Sequence, residues 1–267
     1  MTPDTSERVA AGLARAWETV ALAVGGTVQR IDGLVLALTE ISDPQLNVAL
    51  VERQPEDPPA ALREAKRTFA EHGFRIGVDL PRRRHPDVER AAAGLGMVVG
   101  VSRPGMAATV SALAPAASPP GVEISTLSPE DDLGDLWTMQ ATVFGMRPDA
   151  VRAYLGPSTL RAPGIACFLA RADGRAVSSS LAIEIDRSVG VFGVATLPDA
   201  RGRGIGTAIT AAAVDWARDR ADLAWLQASK EGRPVYERMG FRAVADWDVW
   251  LLPPGASGSG VPEGHRG

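Results

Sequence analysis

The 267-residue chain has a single cysteine, Cys167, and three histidines, His72, His85 and His265. One cysteine excludes an intramolecular disulfide. It lies in the apolar run Ile165-Ala166-Cys167-Phe168-Leu169 and reads as a small buried residue rather than a nucleophile. The histidines are too scattered for ligand spacing, so no metal site is expected. No run approaches the roughly 18 apolar residues of a membrane span, and Met1 to Arg15 lacks the basic start and apolar stretch of a leader. Positive charge is not in excess. With 28 Lys and Arg against 32 Asp and Glu, the net charge of −4 offers no general attraction to nucleic acid or an anionic membrane. The basic run Arg82-Arg83-Arg84-His85 is short, follows Pro81 and reads as a solvated loop. What remains is the composition of a soluble globular protein, 45% hydrophobic and 22% charged, expected in the cytoplasm. The length suits one large domain or two of ordinary size.

The most organised stretch is Leu197 to Thr207, Leu-Pro-Asp-Ala-Arg-Gly-Arg-Gly-Ile-Gly-Thr. An apolar β-type run precedes it, Val189 to Thr196, and a helical run follows, Ile205 to Arg218. Strand, glycine-rich turn and helix make an anion trap, because glycines bring backbone N–H groups close to a ligand and a helix N-terminus offers unpaired donors. Two phosphate loops fail. Neither Gly202 nor Gly204 starts a G-x-G-x-x-G frame, since the sixth positions are Thr207 and Ile209, and no lysine stands where a P-loop needs one.

The first half reads as mixed α/β. A helix is expected over 6–22, strands over Ile31–Leu38, Asn47–Val51 and Phe74–Val78, and helices over Pro58–His72 and Asp87–Gly94. Met97–Val101 and Met106–Val110 read as a strand pair broken at Pro104-Gly105. Ala112 to Gly121, rich in proline and small residues, is a linker. In the second half Val122–Leu127 is a strand. Ser128 and Pro129 start a helix running to about Gly145, and another spans Pro148–Gly156. A hairpin turns at Asp173-Gly174. Leu223–Gln227 is a strand, Gly232–Met239 a helix and Phe241–Leu251 the last strand. Residues 254–267 are expected to be disordered. The expected domains are 1–117 and 118–253.

The pattern Arg201-x-x-Gly204-x-Gly206 resembles the pyrophosphate loop of the GNAT family of N-acetyltransferases. The segment Ser229 to Phe241, ending in Tyr236-x-x-x-Gly240-Phe241, resembles a second family motif, and the element order over 122–252 agrees with both. The resemblance implies an α/β (α+β) fold, with a mixed, mostly antiparallel sheet flanked by helices. Ala92 to Met97 echoes Tyr236 to Phe241 when Gly96 is laid on Gly240, which suggests two tandem domains of one fold. The first copy has lost its loop: Glu52-Arg-Gln-Pro-Glu-Asp-Pro-Pro59 replaces donors by prolines and adds three carboxylates. An unrelated α/β domain is the alternative.

The resemblance implies acetyl-CoA as co-substrate and an amine-bearing acceptor, a small molecule or peptide, with a homodimer allowed and neither nucleic acid nor membrane as partner. Gly202, Arg203, Gly204, Gly206 and Thr207 would surround the pyrophosphate, with Arg201 adding charge. Val194, Ala195 and Thr196 would pair with the pantetheine arm. Tyr236 would be the general acid, or else a ring packed under the last helix. Ser229 stands where many relatives have asparagine. No glutamate stands on the strand before the loop, where Phe192 and Gly193 lie, so the base is open between Glu184, Asp186 and neither. Trp137 and Phe144 are core or cleft-wall residues. Asp131, Asp132 and Asp135 attract an amine or only favour a helix start. A non-catalytic acyl-CoA sensor is the competing reading.

Overall fold

The computed structural model describes residues 4–253; the tail expected to be disordered lies outside the described residues. The first half runs α1 (Thr5–Ala23), β1 (Thr27–Ile31), β2 (Leu34–Leu38), β3 (Asn47–Val51), α2 (Pro58–Glu71), β4 (Gly77–Pro81), α3 (Pro86–Gly94) and β5 (Val98–Thr109). The second runs β6 (Val122–Leu127), α4 (Gly134–Phe144), α5 (Pro148–Tyr154), α6 (Pro157–Arg161), β7 (Ile165–Ala172), β8 (Arg175–Ile185), β9 (Ser188–Thr196), α7 (Ile205–Trp216), β10 (Leu223–Gln227), α8 (Arg233–Met239) and β11 (Arg242–Leu251).

All eleven strands join one sheet in the order β1-β2-β3-β4-β11-β5-β10-β9-β8-β7-β6. Neighbours are antiparallel except β3 with β4 and β9 with β10. From β1 and β7 onward the two halves repeat three strands, a helix, a strand, a helix and a strand. Each parallel pair is bridged by a helix, α2 or α7. Gly96 and Gly240, which end the matching helices, both have positive φ, 77° and 110°. The last strands are exchanged. β5 of the first half lies against β10 of the second, β11 lies against β4, and β5 and β11 pair with each other down the middle.

Packing follows from the strand patterns. One face of the second half buries Val189, Val191, Ala224 and Leu226 under Ile205, Ile209 and Ala213 of α7. The opposite face buries Trp225 and Trp247 against Val9, Leu13 and Val20 of α1 and against Leu136 of α4. Each fully buried aromatic or aliphatic side chain contributes on the order of 1.5–3 kcal/mol. Because α1 belongs to the first half, this second core also ties the halves together.

Several sequence expectations are corrected. Val98–Thr109 form one strand, not a broken pair. A Cβ on Gly105 would sit 2.2 Å from Cζ3 of Trp247, so glycine admits the ring of the neighbouring strand, and β11 bulges opposite. The helix expected from Ser128 begins only at Gly134, because the Ser128 amide donates to Asp131 Oδ2 (2.7 Å) in a local turn. The strand placed at Phe74–Val78 starts at Gly77. The basic run is not a solvated loop throughout. Arg82 forms a two-pronged pair with Asp248 (2.8 and 2.7 Å), which holds that carboxyl below its usual range, and Arg84 pairs with Glu7. His85 is buried, its Nδ1 3.2 Å from Gln54 Oε1.

Candidate functional site

Strands β9 and β10 are paired at only three positions, Ser188 with Leu223, Val189 with Ala224 and Gly190 with Trp225. Beyond them β9 stays on β8 and β10 stays on β5, so a wedge opens between the two. Aromatic packing marks the point of separation. Trp225 and Phe192 meet edge to face at 5.4 Å, and a Cβ on Gly190 would come within 2.7 Å of both rings. On the opening side β9 bulges: Gly193 and Val194 together face the single residue Ser180. Gly193 takes φ 55°, which disfavours a side chain.

The bulge is pinned by buried polar groups. Gln140 of α4 donates to the Gly193 carbonyl and to Ser179 Oγ, both at 2.7 Å. Ser178 Oγ donates to the Ala195 carbonyl at 2.6 Å and lies 2.9 Å from Thr196 Oγ1. Ser180 Oγ donates to the Ile209 carbonyl of α7 at 3.2 Å. All three serines are fully buried. Val194, Ala195 and Thr196 therefore stand on a stretch of β9 that has one hydrogen-bonding edge held by β8 and the other facing the wedge.

The glycine loop follows directly. Gly202 and Gly204 have φ 75° and 78°. Nothing lies within 4 Å of a Cβ placed on Gly202, and only Pro119 of the linker, at 3.7 Å, comes near one on Gly204. Helix α7 begins after Gly204 without a side-chain cap. Among the described residues no protein acceptor takes the amides of Gly202, Arg203, Gly204, Ile205, Gly206 or Thr207; the first helical bond is from Ala208 to the Gly204 carbonyl (3.0 Å). Six consecutive free donors at a helix N-terminus suit an anion of several oxygens. Arg201 braces the loop through Nε to the Thr196 carbonyl (3.1 Å), while Arg203 is exposed and holds no hydrogen bond among the described residues. A CoA pyrophosphate fits this chemistry.

The corresponding turn of the first half is closed. Asp57 caps α2 by accepting from the Ala60 amide (3.0 Å), and Asp32 accepts from the Asp57 amide (3.0 Å). Backbone donation from Asp57 and Glu56 lowers the Asp32 pKa. Carboxylates of the chain itself fill the place an anion would take.

Tyr236 lies on α8, 8% exposed, packed edge-on to Phe241 at 6.1 Å within the core that contains Ile205 and Ile209 of α7. Burial pushes its phenol up to about 12. Ser229 Oγ accepts from the Gly232 amide (3.0 Å) and shapes the turn before α8. Glu184 and Asp186 are not brought to the wedge. They stand at the opposite end of β8, paired with Arg220 (2.7 Å) and Arg15 (2.6 Å). Asp131 and Asp132 accept from local amides, and Asp135 pairs with Arg171. Trp137 packs beside Leu136 and donates to the Leu155 carbonyl (2.9 Å), whereas Phe144 is 38% exposed. Burial raises the Cys167 thiol to about 12, so it is no nucleophile. The sequence reading missed Gln140, Ser178 to Ser180 and the bulge at Gly193. Three consecutive serines in the middle of a mostly apolar strand were their one visible sign.

Residues 132–241 match the sequence model of the acetyltransferase (GNAT) family. A GCN5-related N-acetyltransferase from Kribbella flavida superposes with a TM-score of 0.71 at 24% identity, covering 91% of this chain and 96% of the other. One from Sphaerobacter thermophilus gives 0.61 at 15%, covering 93% and 94%. A tandem GNAT protein from the clavulanic acid biosynthesis pathway gives 0.58 at 16%, covering 83% and 79%. These likenesses extend over both halves and concern the fold. No curated relative matches the sequence.

Proposed function

We propose that the chain transfers the acetyl group of acetyl-CoA to a primary amine of a small molecule or peptide, a reading supported by the match of residues 132–241 to the acetyltransferase (GNAT) family. The observation that carries the reading is the run of six unpaired amides from Gly202 to Thr207, which continues directly from the free edge of β9. The two features can receive the two ends of one ligand. The loop amides hold the pyrophosphate, with the positive end of α7 behind them. The β9 backbone at Val194, Ala195 and Thr196 pairs with the amide-bearing arm and aims the thioester into the wedge. Free β9 amides beside the Gly193 bulge polarise the carbonyl under attack.

The amine nitrogen forms a bond to the thioester carbon, the carbon–sulfur bond breaks, and the departing thiolate needs a proton. Tyr236 supplies it. Its phenol is protonated across the physiological range, and its hydroxyl makes no hydrogen bond among the described residues. The test is incubation of the purified chain and acetyl-CoA with spermidine, kanamycin, free amino acids and a short peptide, followed by free thiol release and product mass. At least one amine is expected to gain 42 Da, the mass of an acetyl group less one hydrogen. Stoichiometric acetyl-CoA binding with no product from any amine would replace the enzyme by a sensor.

A further inference from the structure

The second half offers a cofactor-type loop and the proposed proton donor Tyr236, but its two candidate bases, Glu184 and Asp186, are tied up by arginines away from the wedge. A different carboxylate approaches from the first half. Asp79 is the middle residue of β4, 8% exposed, in a strand otherwise made of apolar residues. Its Oδ1 is buried with no hydrogen-bond partner. Its Oδ2 is 3.4 Å from Nε2 of Gln227. Gln227 is the last residue of β10, two positions past Trp225, where β10 has already left β9. On β10 it alternates with Leu226 of the α7-facing core, so it shares the opposite face with Trp225. The exchanged strands β11 and β5 lie between β4 and β10, and a side-chain contact across them brings the Asp79 carboxyl to the end of β10 that borders the wedge.

The repeat shows how unusual the residue is. Within the parallel pairs, Asp79 is opposite Leu50 as Trp225 is opposite Gly190. Where one half packs a tryptophan in the core, the other buries a carboxylate with one oxygen unpaired. Such an oxygen is costly unless a ligand uses it.

We propose that Asp79, presented by the first half and held by Gln227, is the general base that takes the proton of the acceptor's ammonium. This rests on the transferase reading above. In balance, the ammonium gives one proton to the carboxylate, which later releases it to solvent. The neutral amine attacks the thioester carbon, the carbon–sulfur bond breaks, Tyr236 protonates the thiolate, and the second proton shed by the nitrogen as the amide forms restores the Tyr236 phenol. Burial raises the Asp79 carboxyl to about 6, against a stabilising hydrogen bond from Gln227 and the charge of Arg103 on β5, with Asp248 on β11 acting in the opposite sense. β3 contributes Leu50. The carboxyl is thus ionised at neutral pH yet basic enough to hold a proton in the reaction.

The test is Asp79→Asn, assayed with the amine turned over fastest in the panel above. The expected kcat/KM is lower by about 100-fold or more, and the rise of the wild-type rate between pH 5 and 7 disappears. Acetyl-CoA affinity by calorimetry is unchanged, and the melting temperature is equal or higher because a buried unpaired charge is gone. A merely structural role would lower the melting temperature and leave the pH profile intact. An active wild type with an equally active Asp79→Asn variant overturns the base and spares the transferase. A wild type inactive on every amine overturns both.

Discussion

Tyr236 and Asp79 are both buried ionisable groups, and burial acts on them in the same direction for different ends. The neutral form is favoured in each. For the phenol, raised to about 12, this keeps the proton in place at every assay pH. For the carboxyl, raised to about 6, it brings titration near neutrality. The sign for stability follows from linkage. A folded pKa above the ordinary 3.8 means the native state binds the proton more tightly. Stability is therefore full at low pH and falls by about 3 kcal/mol as pH rises through 6. Tyr236→Phe keeps the edge-on packing against Phe241 and removes only the hydroxyl. Its kcat is expected to drop about 100-fold while acetyl-CoA binding stays within a factor of about three; steady-state kinetics with calorimetry decides, and an unchanged kcat would leave the tyrosine a packing residue. Tyr236 and the loop glycines stood out in the sequence as candidates because their motifs are local. Asp79 was not. Its meaning depends on Gln227, 148 positions away, and on a strand exchange that no periodicity reveals.

At the scale of elements, the two loop–helix units show what separates an open turn from a closed one. Helix α2 starts with an aspartate cap and α7 with a glycine that leaves its donors free. A side-chain cap is worth about 1 kcal/mol, so α7 gives up stability that α2 retains. That one turn leaves its amides free and the other does not was readable in the sequence, since proline, carboxylate and glycine act on their own backbone neighbours. It did not show the bulge on β9, which depends on Gln140 reaching across from α4. Gln140→Leu leaves the Gly193 carbonyl and Ser179 hydroxyl without their donor. The expected cost is about 1–3 kcal/mol in denaturant unfolding, with weaker acetyl-CoA binding because the edge of β9 loses its shape. Unchanged unfolding and affinity would show that the bulge holds itself.

At the scale of the whole molecule, the halves share one sheet by exchanging their last strands, so β5 completes the sheet around β10 while β11 completes the one around β4. Helix α1 of the first half covers Trp225 of the second. The internal echo at Gly96 and Gly240 pointed to a repeat, whereas the exchange of last strands appears only in the strand order. One half keeps an open anion turn, and the other blocks its own with Asp57 and Asp32. The molecule should therefore bind one acyl-CoA, at the loop from Gly202 to Thr207. The most direct measurement is calorimetric titration of acetyl-CoA into the wild type and into Gly204→Glu, which places bulk and negative charge at a residue with φ 78°. One site per chain in the wild type and no measurable binding in the variant is the expected result; two sites per chain, or full affinity in the variant, would contradict it.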